Sequence, residues 1–235
     1  VSIAQRSSPA VAAPASAGTP HHRAVDLVAW LCSAGVIAAT VFVVLVFPDA
    51  SSASAVRRFY DEWSGVALIG ITILTAFFFV QVWSLGWMTA IIRRAEGEGP
   101  YAWITFGAEL MFMTVFNVEI GLWATAHLLQ DRISDESLYV LHVAGFVIAA
   151  PVTFAGVAYF AAIVGLQRTT GLFPRHVVVI AAVAGIGNLG ALGGLVATSG
   201  PFNPASGAIA IGGPMIAWML WYGAAFGWFY RHRSA

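Results

Sequence analysis

Hydrophobic positions in this chain gather into long runs, and polar positions collect between them. Six runs stand out, at 25–47, 64–92, 101–130, 137–166, 176–199 and 205–230. A helix rises about 1.5 Å per residue, so about 20 residues cross a hydrocarbon core about 30 Å thick. Every run is long enough. The pattern predicts an all-α fold, a polytopic transmembrane bundle of six helices. Runs two to four exceed the minimum and are expected to tilt or project. Pro151 and Pro214 fall inside the fourth and sixth runs. Each removes a backbone donor and kinks its helix, which lipid tolerates only where neighbours satisfy the freed carbonyl.

The polar positions between the runs give the chain a direction. With six spans both ends lie on one side, and that side collects Arg6, Arg23, Arg93, Arg94, Arg168, Arg175, Arg231 and Arg233. The opposite side carries Arg57, Arg58 and Arg132. This bias predicts a plasma (inner) membrane protein, multi-pass, with both termini in the cytoplasm. Phe59, Tyr60 and Trp63 on one border, and Trp87, Tyr101 and Trp103 on the other, read as interfacial aromatic belts. Residues 57–60 read as interfacial loop, with a short surface helix as the alternative. Residues 1–23, rich in Ala, Pro and Ser, read as a disordered cytoplasmic tail, and 24–235 as the transmembrane domain. The loop TSGPFNPASG reads as a tight exposed turn, with a dip over a cavity as the alternative.

Ionisable residues inside a span are costly, so their positions carry information. The third span holds Glu109, Asn117, Glu119 and His127. At about 100° per residue Glu109 and His127 share one angle, and Asn117 and Glu119 lie about 80° to either side. The four make a stripe that should face the bundle interior. His142 sits near the start of the fourth span, Asn188 in the middle of the fifth and Gln81 in the middle of the second. Four readings are open. The polar groups bridge helices, each Glu being protonated or paired. Alternatively, Glu109, Asn117, Glu119 and Asn188 line an internal polar pocket that binds or moves a small molecule, a lipid or a proton. A third reading has His127 and His142, on adjacent antiparallel helices, hold a metal or haem, with Glu119 assisting. The fourth is membrane enzyme chemistry by these carboxylates. HExxH, a P-loop and a Gly-x-Ser-x-Gly elbow are all missing, and no particular cofactor is indicated.

Small residues bear on how the helices meet. Gly185, Gly187, Gly190, Gly193 and Gly194 crowd the fifth span, and Gly190/Gly194 and Gly223/Gly227 form GxxxG pairs. Close helix contact between spans five and six is expected. Those glycines could instead make the fifth helix irregular around a cavity. The same two spans are the expected surface for a membrane-protein partner or a second copy, the scaffold alternative to a binding function. Lipid is the other partner expected.

Composition narrows the classes further. Of 235 residues 59% are hydrophobic and 9% charged, where a soluble domain carries about a quarter charged. Lys+Arg and Asp+Glu balance at 11 each, leaving no basic footprint for nucleic acid. Cys32 is the single cysteine, so no internal disulfide forms; it reads as a small buried residue.

The FYDEW segment, the IIRRAEGEGP turn, LFPRH before the fifth span, TSGPFNPASG and the Arg-rich end follow one another over roughly 57–233. In that order they resemble a family of six-span integral membrane proteins of actinobacteria with no assigned activity. The resemblance implies the same topology and supplies no catalytic or ligand residues.

Overall fold

The computed structural model describes residues 50–197 and 199–232, with a few isolated positions between 27 and 41. The predicted tail, Cys32 and nearly all of the first predicted span lie outside the described residues. The described residues are helical, with no strand among them. Among the described residues five helical segments are long and apolar enough to cross a membrane: Ala53–Glu96, Tyr101–Arg132, Asp135–Thr170, Arg175–Leu195 and Ala208–Trp228. They correspond to the second to sixth predicted runs. The chain is a multi-pass helical membrane protein.

Helix α1 (Ala53–Glu96) has 44 residues and a length of about 66 Å. Ser52 caps its start, Oγ accepting from Ala55 N–H at 3.2 Å. It breaks once, at Trp63 (φ −121°, ψ 20°). The stretch before the break covers residues 57–60, which are helical and not the interfacial loop expected from sequence. Val56, Phe59 and Tyr60 are buried there, so burial against the bundle supports the helix. The Arg57 guanidinium donates to Asp135 Oδ1 at 2.7 Å, to the Ile133 carbonyl at 2.7 Å and to the Gln130 carbonyl. Arg57 thus ties the start of α1 to the turn after α2.

Gly97 ends α1 at φ 75°, a conformation that favours glycine. Helix α2 (Tyr101–Leu129) follows at once. The Glu96 carboxylate accepts from Tyr101 N–H at 2.7 Å and Ala102 N–H at 2.8 Å. A carboxylate at the positive end of α2 satisfies two donors that a helix start leaves open.

Ser134 caps α3 (Asp135–Ala149), which stops at Pro151; α4 (Thr153–Thr170) resumes beyond it. Proline has no N–H for the Val147 carbonyl, and Ala150 N–H takes that carbonyl instead at 3.2 Å. The fourth predicted span is therefore two helices. After Gly171 (φ 65°) comes α5 (Arg175–Gly190), which tightens into a 3₁₀ turn over Ala191–Leu195. A π-helical turn, Ala208–Gly212, leads into α6 (Gly213–His232).

Helix α2 is central, touching α1, α3 and α4; α5 lies between α4 and α6. The core is aromatic: Tyr60, Trp123, Tyr159, Phe160, Trp221 and Tyr222 are all buried. Outward positions are apolar as well, with Phe79 71% and Ile186 69% exposed. In water that surface would be a liability, and in lipid it is the solvent-facing side. Spans five and six pack against each other as expected, at Gly187 and Gly190. A Cβ on Gly213 would meet the Gly187 carbonyl oxygen at 2.9 Å, and one on Gly187 would meet the Gly213 oxygen at 3.1 Å. Gly190 likewise meets Ile209 of the sixth span, Gly194 abuts Pro204 in the loop before it, and Gly223 is exposed.

Candidate functional site

Helix α2 carries Phe112, Phe116 and Glu119 at spacings of four and three, which align on one face. Facing them, α3 ends with Phe146 and Ala149, and the break supplies Ala150 and Thr153. Ala191, where α5 turns 3₁₀, and Ala210 and Ile211 of the π-helical turn complete the far wall, with Pro204, Pro214 and Met215 beside them. These residues line a part-open cleft. Its location is what the backbone predicts: three of the membrane segments lose regular α-helix here. Irregular backbone at membrane depth is stable only where protein buries it or where it lines a cavity.

Glu119 is buried, and its Oε2 has no hydrogen-bond partner among the described residues. An unpaired carboxyl in an apolar setting is expensive. Three backbone donors of the cleft lining are already engaged. Ala150 N–H goes to the Val147 carbonyl (3.2 Å), Thr153 N–H to the Ala150 carbonyl (3.3 Å), and Ile211 N–H to the Gly207 carbonyl (3.0 Å). The Thr153 hydroxyl also donates to the Ala150 carbonyl, at 2.7 Å.

Glu109 lies in a separate setting. Its Oε1 accepts from Tyr222 OH at 2.5 Å and from Gln81 Nε2 at 3.0 Å, and Gln81 Nε2 also donates to Tyr222 OH. This knot joins α1, α2 and α6 inside the bundle. An aromatic seam runs from it toward the cleft: Tyr222 lies 5.8 Å from Trp218 between centroids, Trp218 4.9 Å from Phe112, and Phe112 stacks on Phe116 at 4.5 Å.

The remaining predicted residues disperse. Asn117 is exposed and donates Nδ2 to the Met113 carbonyl of its own helix at 2.8 Å, so it does not join the cleft. Asn188 is fully buried, donates to the Ala184 carbonyl at 2.8 Å, and turns Oδ1 to Gly156 of α4, where a Cβ would collide with it. His127 Nδ1 lies 3.3 Å from Ser64 Oγ, and His142 Nδ1 lies 3.2 Å from Tyr60 OH. The two imidazoles thus address residues one turn apart on α1. Among the described residues no group of three or more His, Cys, Asp and Glu is placed to hold a metal ion.

The expectation of one polar stripe facing one crevice is corrected by this geometry. Helix α2 has neighbours on three sides, so a stripe spread over half its circumference is divided among them. No family model matches the chain, and neither does any curated protein or solved structure. The functional reading therefore rests on the site alone. Sequence reasoning missed Tyr222, Tyr60 and the three phenylalanines of the cleft. Aromatic residues are common in every span here, and nothing in their spacing marks these five.

Proposed function

We propose that this chain is a six-span plasma-membrane protein, with 25–47 as the first span and both termini in the cytoplasm, and that it binds a small molecule in the Glu119 cleft. One observation carries the binding reading: a buried carboxylate oxygen without a partner lines a part-open cleft where three membrane segments leave regular helix. Ligand sites in bundles sit between helices, with few polar groups among many apolar ones. Broken helices around a site near mid-membrane are also how carriers are built. The topology is supported by the placement of Arg at helix ends, and the resemblance to six-span actinobacterial proteins belongs to the same proposal.

The test is to purify the full chain in mild detergent and identify small molecules released from it by mass spectrometry. Two variants accompany it. Glu119→Gln keeps the volume and removes the acidic group, and Ala191→Phe fills the cleft. We expect a compound retained by the parent chain and lost from both variants. Identical extracts from all three would contradict the proposal.

A further inference from the structure

We propose that the occupant of the Glu119 cleft is an organic cation with an apolar body, a protonated or quaternary amine. This rests on the cleft being a binding site. Four features of the lining point to that chemistry.

Among the described lining residues Glu119 is the single ionisable side chain, with no Arg or His beside it. Phe112 and Phe116 beside Glu119, and Phe146 on the facing wall, supply aromatic rings. Ring faces attract cations, most strongly where water is excluded. Donors are scarce. Pro204 and Pro214 have none, the Thr153 hydroxyl is engaged with the Ala150 carbonyl, and Ala191 N–H is engaged with Asn188 and Leu189. The lining thus offers few donors to an anion or a carbonyl-rich ligand, and offers a cation an acceptor and aromatic rings. Ala149, Ile211 and Met215 leave the rest of the cleft apolar, which suits a hydrocarbon body and not a hydrated ion. A bare metal ion is poorly served by one carboxylate.

The experiment compares two isosteres on the full chain in lipid nanodiscs: tritiated benzyltrimethylammonium and uncharged neopentylbenzene, which replaces nitrogen by carbon. We expect saturable binding of the ammonium probe at a single site, not displaced by the neutral compound. Glu119→Gln and Phe116→Leu should each weaken it about tenfold or more, following loss of the charge or of a ring face. Glu136→Gln, which removes an exposed carboxylate outside the cleft, should leave it unchanged. If neopentylbenzene competes equally and Glu119→Gln binds the ammonium as well as the parent does, the cation assignment falls while the cleft stands as a binding site. If neither probe binds saturably but Ala191→Phe still strips a compound from the purified chain, the cation assignment alone falls again. If no probe binds and no compound is lost on filling the cleft, both readings fall.

Discussion

Asn188 and Gly156 show how single residues set distances in this bundle. The Asn188 amide is locked by its bond to the Ala184 carbonyl, and its oxygen fills the space that a side chain at 156 would need. Gly156→Ala should therefore destabilise the protein by about 1–3 kcal/mol, the usual range for overpacking. The same change made on top of Asn188→Ala should cost clearly less, because the obstructing oxygen has gone. Denaturation of the four proteins in mixed micelles reads the coupling, and strictly additive costs would refute the contact. Asn188, Glu109 and Glu119 were legible in sequence as polar groups in apolar runs. Their partners were not. A helical wheel gives the angle of Asn117 but not which neighbour, if any, covers that angle, and Asn117 is exposed. Tyr222 is the principal partner of Glu109, yet it sits in a run of aromatics with no mark to separate it from the rest.

At the scale of elements, hydropathy located five of the segments well, because length and apolarity are all that a span requires. The break at Pro151 was also legible, since proline cannot donate to Val147. The 3₁₀ turn at Ala191–Leu195 and the π-helical turn at Ala208–Gly212 were not, being products of contact between Gly-rich backbones. Residues 199–207 differ from the expected exposed turn in that Pro204 lines the cleft and Ala205 is buried. The start of α1 offers a test of what holds an element in place. Arg57 is 18% exposed and Asp135 55%. An exposed ion pair contributes about 0–1 kcal/mol, so Asp135→Asn should change stability little. Arg57→Met also removes the donors to two backbone carbonyls and should cost about 1–3 kcal/mol. Equal losses in thermal unfolding would show that the ion pair, and not the carbonyl bonds, fastens α1.

For the whole molecule, an apolar exterior and an aromatic interior together fit a protein whose solvent is lipid. Among the described residues, charged side chains sit toward the ends of the helices, with Glu109 and Glu119 the buried exceptions. The topology proposal makes a direct prediction. Cys32 is the single cysteine, so a Cys32→Ser chain accepts single labels at exposed positions. Ser206→Cys should react with a membrane-impermeant maleimide in intact cells, and Glu98→Cys only after permeabilisation. The reverse pattern would invert the orientation, and reaction at both positions from one side would break the alternation of spans.

The central claim is that the Glu119 cleft holds a ligand. An experimental structure of the full chain in lipid nanodiscs, resolved well enough to place side chains around the cleft, tests it most directly. The account predicts non-protein density between Glu119 and the rings of Phe112, Phe116 and Phe146, lost in Glu119→Gln. A cleft closed by its own walls, with the Glu119 carboxyl bonded to a protein group, would contradict it.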